Sequence, residues 1–345
     1  MEKLLYLFAL IVVAFACQPE EFQSQIPEPS PYNFPVLANF PPVPEPDENP
    51  TTLEGVALGR KLFFDPVLSG DNTMSCSSCH TPGIGFTDST AVSVGIDGIG
   101  GKRNSMSLVN LAYAESFFWD GRSPSLEAQA LDPVTDPIEL HEEWPNAVAE
   151  IKGSQEYQAL FLKAFGDQEI DRNLVAKAIA QFERTLISGN SRFDQFLRGE
   201  ENLTPSELNG FNIYNTEKGD CFHCHGPILF TDHLFHNNGL DSVFSDSGRA
   251  KVTGIAADLG KFKTPSLRNI EVSGPYMHDG RFETLEEVIE HYNSGGKPSA
   301  TIDPLMKNVG TGLGLSPQEK ADLKAFLLTL TDEEYLNNSE FQDPN

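Results

Sequence analysis

The pattern Cys-x-x-Cys-His occurs twice in this chain, at Cys76–His80 and, 145 residues later, at Cys221–His225. Two cysteines three positions apart share one turn of helix, so both thiols can add to the vinyl groups of a single haem. The histidine that follows then reaches the iron from the same side. The pattern predicts two covalently bound haem c groups, with His80 and His225 as proximal iron ligands. The attachment residues are Cys76, Cys79, Cys221 and Cys224.

The surroundings of the two motifs are repeated as well. An amphipathic segment precedes each motif, around Leu58-Gly59 and around Asn209-Gly210, and Phe-Thr-Asp follows each motif, at 86–88 and 230–232. Cysteine and histidine also bind zinc, and each pair of cysteines could form a short-range disulfide, but neither alternative predicts a repeat of the whole neighbourhood. Two copies of one small haem domain in tandem explain the pattern.

Helical signals dominate the rest of the chain. Apolar residues three or four positions apart predict a helix between Asp171 and Ser188. Capping-box patterns, in which Glu follows Ser or Thr by three residues, predict further helix starts at Thr51, Thr204, Thr284 and Ser316. No long alternation of apolar and polar residues indicates strands. The sequence therefore predicts a mainly α fold, with two cytochrome c-like haem domains in tandem and long Gly-rich loops.

Residues 1–17 have the pattern of an export signal. Lys3 precedes an apolar run from Leu4 to Phe15, which is too short to span a bilayer and suits a signal peptide. The end of the run resembles a bacterial lipobox, so we expect a lipoprotein signal peptide, lipid attachment at Cys17, and a location in the periplasm or cell envelope. A simple secretory signal and an uncleaved anchor are the alternatives. One lipid and two haems would account for all 5 cysteines.

Composition sets the domain limits and excludes one class of partner. Ten prolines between Gln18 and Pro50 predict an extended tether over 18–50, followed by an N-terminal haem domain at 51–200 and a C-terminal one at 201–335.

The formal net charge of −26 excludes nucleic acid as a partner, because the phosphate backbone would be repelled. The same charge favours a redox partner with a basic docking face.

Further segments resemble the bacterial di-haem cytochrome c peroxidases. They are Phe63-Phe64-Asp65, Phe118-Trp119-Asp120-Gly121-Arg122, Thr264-Pro265-Ser266-Leu267-Arg268-Asn269 and Pro275-Tyr276-Met277-His278-Asp279-Gly280. The likeness runs from about Gly55 to Leu330, and the segments follow the order of that family. The resemblance implies that the N-terminal haem reacts with peroxide while the C-terminal haem relays electrons to it.

The resemblance also implies roles for individual residues. Trp119 would lie between the haems as an electron relay, with an ordinary core aromatic as the alternative. Glu139 would be the acid and base for peroxide cleavage beside Gln129, although an arbitrary Glu is more often a surface residue. Pro133 would shape the same pocket. A calcium ion between the domains would be held by Asn104, Ser273 and Pro275.

Two positions depart from that family. The loop after the first motif places Ile96 where the resemblance would put a histidine, and the segment between His80 and His141 contains no other histidine. The N-terminal iron should therefore be open without reductive activation. Standard members of the family use Met as the sixth ligand of the second haem, and the matching residue here is Tyr292. In this the chain resembles the maturation enzyme of methylamine dehydrogenase. Met277 or Met306 is the alternative ligand, with Tyr292 then part of the apolar core.

These features predict a peroxidase that reduces hydrogen peroxide to water. The electron donor would be a small cytochrome c or a copper protein, and the resemblance allows a homodimer. The alternative is a maturase-like enzyme that uses peroxide to oxidise a protein or organic substrate. A pure electron carrier is disfavoured, because a carrier needs both irons closed. The remaining histidines are expected to be hydrogen-bonded at the surface, namely His141, His233, His236 and His291.

Overall fold

The computed structural model describes residues 28–344, and in this range the chain is mostly helical with long irregular connections. The helices are α1 Leu53–Phe64, α2 Leu126–Gln129, α3 Asp132–Thr135, α4 Trp144–Gly153, α5 Gln155–Phe165, α6 Arg172–Arg184, α7 Arg192–Leu197, α8 Pro205–Tyr214, α9 Ala250–Thr253, α10 Leu285–Asn293, α11 Pro317–Leu328 and α12 Glu333–Leu336. Strands β1 Phe235–His236 and β2 Phe262–Lys263 pair antiparallel. The predicted fold class is confirmed. None of these helices is long and apolar enough to cross a bilayer.

Each half is organised around one crossing of two helices. In the first half, α1 crosses α6 at Gly59, where a Cβ atom would lie only 1.9 Å from the carbonyl oxygen of Ala178. In the second half, α8 crosses α11 at Gly210, where a Cβ would lie 1.9 Å from the carbonyl oxygen of Asp322. Only glycine permits such close backbone contact. The repeat seen around the two motifs therefore corresponds to two copies of one helix pair.

The aromatic cores of the halves match in the same way. Phe182 of α6 packs edge-on against Phe63, with ring centroids 5.3 Å apart, and against Phe86 at 6.5 Å. Phe326 of α11 packs against Tyr214 at 5.0 Å and against Phe230 at 6.4 Å. The Phe of each Phe-Thr-Asp segment is thus a core residue, which explains why that segment recurs.

Four of the predicted helix starts are confirmed at the residue. Asp171 caps α6 by accepting a hydrogen bond from the N–H of Leu174 at 2.8 Å. Capping boxes open α8, α10 and α11 at Thr204, Thr284 and Ser316. Helix α6 ends at Arg184, four residues before the predicted limit at Ser188.

The prediction of a helix start at Thr51 is wrong by one residue. Thr52 caps α1 by accepting from the N–H of Gly55. The carboxylate of Glu54 instead accepts hydrogen bonds from the N–H and hydroxyl of Ser30, at 2.7 and 3.0 Å. The extended segment around Ser30 therefore binds the Glu54 carboxylate that would have completed a capping box at Thr51.

Residues 28–50, the described part of the predicted tether, are extended but lie against the body. Asn49 is only 3% exposed, accepts a hydrogen bond from Gln181 at 2.8 Å and donates one to the carbonyl oxygen of Lys177 at 3.1 Å. This part of the segment therefore contributes buried contacts to α6 and does not stand away from the domains. The predicted signal peptide and Cys17 lie outside the described residues.

The contacts also locate the division between the halves. Phe193 of α7 packs on Phe326 at 5.2 Å, inside the second core, so α7 joins the second half although it precedes residue 201. Beyond α11 the chain returns to the first half, where Tyr335 of α12 packs against Phe86 at 6.1 Å. The C-terminal residues thus tie the two halves together.

Candidate functional site

The first Cys-x-x-Cys-His segment forms a short 3-10 helix at Cys76–Ser78, followed by His80. The backbone N–H of His80 donates to the carbonyl oxygen of Cys76 at 3.0 Å. Its ring donates the Nδ1 hydrogen to the carbonyl oxygen of Phe86 at 2.8 Å. That bond fixes the tautomer and leaves Nε2 with the lone pair that an iron ligand requires.

The second segment repeats this arrangement. His225 donates its backbone N–H to the carbonyl oxygen of Cys221 at 3.0 Å, and its ring Nδ1 hydrogen to that of Phe230, also at 3.0 Å. Burial lowers the pKa of both His80 and His225, which keeps the imidazoles neutral. The left-handed backbone of Phe86 and Phe230, with φ of 57° and 53°, turns each carbonyl toward its histidine.

The donor groups do not match a zinc site. Zinc gathers its ligand atoms into one tetrahedron. Among residues 28–344, neither motif brings its own two thiols and histidine together in that way, because the only potential metal cluster that includes a motif cysteine combines Cys224 with Asp232 and His236. The cysteines of both motifs are also unpaired, so neither disulfide forms. The haem prediction is the one that the local geometry fits.

A cavity of about 210 Å³ opens beside the second motif. Cys221, Cys224 and His225 lie on its wall, and Tyr292 reaches it from α10. The remainder of the lining is largely apolar, including Leu285, Val288, Ile289, Leu313 and Leu327. An apolar cavity with two thiols and a neutral histidine at its edge suits a covalently attached haem.

Tyr292, the predicted sixth ligand, lines this cavity, and so do both alternative ligands, Met277 and Met306. The amide of Asn238 donates to the Tyr292 hydroxyl at 3.2 Å and to the sulfur of Met277 at 3.5 Å. Burial raises the pKa of Tyr292 to about 12. Asn238 partly offsets this effect, because its hydrogen bond favours the phenolate.

The residues expected above the first haem follow one another on a bent segment. Gln129 ends α2, Pro133 lies in α3, and Glu139 follows with its N–H bonded to the carbonyl oxygen of Asp136 at 3.0 Å. Burial, reinforced by Asp136 and partly offset by Arg122, raises the pKa of Glu139 to about 7. At neutral pH this carboxyl group can both take up and release a proton.

Burial raises the pKa of both thiols of the first attachment site, Cys76 and Cys79, and the charge of Glu139 adds a smaller effect in the same direction. The loop containing Ile96 lies behind Glu139. The N–H of Ile96 donates to the carbonyl oxygen of Glu139 at 3.0 Å, and a Cβ on Gly95 would lie 2.3 Å from the carbonyl oxygen of Ile138. The loop thus holds the Glu139 backbone, and it carries an apolar residue, Ile96, where the resemblance would put a histidine.

A second carboxyl group near this site was missed by sequence reasoning. Glu183 is 5% exposed, and its Oε2 has no hydrogen-bond partner among the described residues. Burial, reinforced by Glu127, raises its pKa to about 8, and its charge in turn raises the pKa of Cys76. The sequence did contain a signal, because Glu183 lies four positions after Ile179 on the apolar face of α6.

Trp119 lies between the halves and is 8% exposed. It lines the cavity beside the second motif and also a neighbouring cavity of about 80 Å³. All three residues expected to hold calcium line this smaller cavity, namely Asn104, Ser273 and Pro275. The structure therefore brings the relay candidate and the calcium candidates to one place.

The internal repeat extends further than the sequence analysis found. Phe117 to Arg122 and Tyr276 to Arg281 form equivalent turns, each closed by a bridge, Phe117 to Ser123 and Tyr276 to Phe282. Trp119 thus corresponds to His278, and by the same offset Pro133 corresponds to Tyr292. Proline has no side-chain donor atom, so the first half carries no ligand at the position where the second half carries a phenol. The shared Asp-Gly-Arg was the available signal.

The expectation of surface histidines is wrong for His236. Its side chain is 14% exposed and lies between two carboxylates, with Nε2 2.8 Å from Asp232 and Nδ1 2.6 Å from Asp303. Burial lowers its pKa, but Asp232, Cys224 and Asp303 outweigh that effect and raise the pKa to about 11. An imidazolium therefore forms part of the wall of the second cavity. His141 is exposed and bonded to Asp97, as expected.

Comparisons with known proteins agree with this geometry. A family model described as di-haem cytochrome c peroxidase matches residues 53–202. The chain is 41% identical to the methylamine utilization protein MauG of Methylorubrum extorquens over 295 residues, 84% of this chain and 82% of that protein. It is 34% identical to the cytochrome c551 peroxidase of Nitrosomonas europaea over 305 residues, 87% of this chain and 86% of that protein.

Solved structures show the same fold. A MauG-like protein associated with microbial copper homeostasis superposes with a TM-score of 0.85 at 37% identity, covering 91% of this chain and 99% of its own. The diheme peroxidase BthA from Burkholderia thailandensis superposes with a TM-score of 0.73 at 24% identity, covering 86% of this chain and 91% of its own. At that identity the second likeness supports the fold alone.

Proposed function

Because this chain belongs to the di-haem cytochrome c peroxidase family, an oxidoreductase family whose members carry two haem c groups, we propose that it reduces hydrogen peroxide to water at the site of His80. The observation that carries the proposal is Glu139. Its carboxyl group has a pKa raised to about 7 and acts on both attachment cysteines of the first motif. A group poised near neutral pH is what proton transfer to peroxide requires.

Cys76, Cys79 and His80 would hold the haem, which would supply an iron for peroxide and the electrons for cleavage of the O–O bond. Glu139 would take a proton from one peroxide oxygen and return a proton to the other oxygen, which leaves as water. Gln129, at the end of α2, orients the peroxide through its amide, and Pro133 limits the space beside it. Two protons and two electrons convert one peroxide into two waters.

Electrons enter through the half that carries His225 and pass by Trp119. The support is that Trp119 lines the cavity of the second motif while its chain segment belongs to the first half. A calcium ion on Asn104, Ser273 and Pro275 would join the segments that flank this route, since all three line the adjoining cavity and oxygen ligands suit calcium.

The donor is a small cytochrome c or a copper protein with a basic face, because the acidic chain attracts one electrostatically. The protein acts in the periplasm or cell envelope and is held to a membrane by a lipid on Cys17. A homodimer is part of the proposal on the family resemblance alone. The leader sequence supports the location.

A second function is favoured by Tyr292 and Ile96. A phenol in the second cavity and an apolar residue in the first loop suit an enzyme that stores oxidising equivalents and oxidises a protein or organic substrate with peroxide. The 41% identity to a protein named for methylamine utilization supports the same alternative.

Steady-state turnover of peroxide with a reduced cytochrome c tests the primary proposal. The wild-type holoprotein should exceed free haem by orders of magnitude, E139Q should lose most of this rate, and E143Q, a matched change at an exposed residue, should not. A wild-type rate equal to that of free haem overturns the proposal. A long-lived oxidised spectrum after peroxide without any donor, combined with slow turnover, supports the second function.

A further inference from the structure

Lys263 is a buried lysine at the junction of the two halves. It lies in β2 and is 4% exposed. Its backbone N–H donates to the carbonyl oxygen of Trp119 at 2.8 Å. Its ammonium reaches the first half, where it donates to the carbonyl oxygen of Ser116 at 2.8 Å and lies 5.5 Å from the ring centre of Phe117. Both the backbone and the ammonium group of Lys263 therefore bond to the segment Ser116–Trp119, which carries the relay candidate.

The chain provides little compensation for this charge. An ammonium has three donor hydrogens, and one carbonyl oxygen and one aromatic face account for only part of them. Burial alone lowers the pKa of Lys263 to about 8, because no carboxylate in the described part of the chain lies close enough to oppose it. The nearby ring of His233 has an unsatisfied Nε2 and supplies no negative charge. A buried cation without an anion is unfavourable unless a partner comes from elsewhere.

Two arginines near the junction are paired with carboxylates of the chain. Arg103 is bonded to Asp120 and Asp246, both at 2.7 Å. Arg268 forms a two-point pair with Asp194 at 2.7 and 2.8 Å. Lys263 differs from these two arginines, because its ammonium is bonded to a carbonyl oxygen and not to a carboxylate, so its counter-ion calls for a separate source.

Lys263 lines both the cavity beside Cys221 and the smaller cavity between the halves. A haem brings two propionate carboxylates into whatever cavity it enters. We propose that Lys263 is the ion-pair partner of a propionate of the haem attached at Cys221 and Cys224. The inference rests on the presence of that haem and on its relay role in the proposed function, and not on the reaction with peroxide.

The pair has a consequence for electron transfer. A positive charge near a haem favours the reduced iron and so raises the haem's midpoint potential, by an amount that grows as the site is dried. The same charge, if left unbalanced, would oppose positive charge on Trp119. Lys263 thus acts as a positioning residue for the second haem and raises the midpoint potential of that haem. It takes no direct part in the reaction with peroxide.

Potentiometric titration of the holoprotein, followed by the separate optical signals of the two haems, tests the proposal. K263M and K263Q should lower the midpoint potential of the His225 haem, while K263R, which keeps the charge, should restore it toward the wild-type value. K152M removes an equally charged but exposed lysine from α4 and should change neither potential. Haem content, measured on each variant, should stay at two per chain.

Unchanged potentials in both K263M and K263Q, or a shift confined to the His80 haem, would overturn the proposal. Should K263M fail to incorporate two haems, K263Q decides, because its shorter side chain removes the charge and still ends in a polar group that can donate a hydrogen bond. No peroxide is present in these titrations. An inactive wild type would therefore refute the proposed peroxidase function and leave this result unaffected.

Discussion

Trp119 donates its indole hydrogen to the carbonyl oxygen of Asn104 at 2.9 Å, and the N–H of the same Asn104 donates to the carbonyl oxygen of His278 at 2.8 Å. Trp119 and His278 are the equivalent residues of the two halves, so the backbone of a single residue, Asn104, links them across the pseudo-symmetric junction. The indole is therefore fixed in orientation at the junction, on the wall of the cavity beside the second motif. A fixed aromatic ring at this place is what an electron relay needs.

Replacing the indole of Trp119 should slow electron transfer and leave both haems attached. W119F removes the indole and its hydrogen bond, and we expect peroxide turnover to fall by roughly tenfold or more, equivalent to about 1.4 kcal/mol of barrier. W144F is the matched control, since Trp144 is also buried and donates its indole hydrogen to a carbonyl oxygen, that of Leu131 at 3.2 Å. Equal losses in the two variants would mean that Trp119 is only a core aromatic. Stopped-flow reoxidation of the reduced protein gives the rates.

The raised pKa of Glu139 predicts the pH profile. Because the carboxylate is the form that accepts a proton, kcat/KM should fall as the pH drops through about 7. E139Q should lower kcat/KM by about 100- to 10,000-fold and remove this limb of the profile. A profile in E139Q that still bends near pH 7 would assign the limb to another group, such as Glu183. Initial rates between pH 5 and 9 make the measurement.

Much of the fold was predictable because its signals are local. The turns at Cys76 and Cys221 and the caps at Thr204, Thr284 and Ser316 depend on residues within a few positions of one another. The start of α1 was misplaced because Glu54 bonds to Ser30, a contact made only in the folded chain. Non-local partners of this kind leave no pattern in the sequence.

The candidate site was predictable where chemistry is tied to a motif and not where it depends on burial. The spacing of His80 and His225 from their cysteines predicted the two histidines whose rings donate to the carbonyl oxygens of Phe86 and Phe230. The buried charge of Lys263 and the unpaired carboxyl of Glu183 arise from packing between segments far apart in the chain. His236 was misjudged for the same reason, since Asp303 lies 67 positions away.

Glu183 should make stability depend on pH in the opposite sense to a paired carboxylate. Its pKa rises from 4.5 to about 8 on folding, so the folded form is favoured below pH 4.5 and loses stability as the pH rises toward 8. At about 1.4 kcal/mol per pKa unit, the loss is on the order of a few kcal/mol. E183Q should abolish this decline between pH 5 and 8.

Glu127 supplies the opposite control for this measurement. Burial alone would raise the pKa of Glu127, but Asn49 and Arg184 outweigh that effect and lower it. E127Q should therefore be less stable than the wild type at neutral pH, and the difference in the free energy of unfolding should disappear at acid pH. Denaturant unfolding of the holoproteins at several pH values compares the two variants. A parallel pH dependence in E183Q and wild type would show that Glu183 is not buried as a carboxylic acid.

Tyr292 and Tyr276 provide a test of the second haem's sixth ligand. Both phenols line the same cavity, but Tyr276 donates its hydroxyl to the carbonyl oxygen of Ile270 at 2.9 Å, whereas Tyr292 is held by Asn238. If the Tyr292 oxygen binds the iron, Y292F should change the low-spin EPR signal and the optical spectrum of one haem and raise its potential, because an anionic oxygen ligand favours ferric iron. Y276F removes a hydroxyl from the same cavity and should leave these signals in place. An unchanged spectrum in Y292F, with loss of the signal in M277L or M306L, would assign the ligand to that methionine.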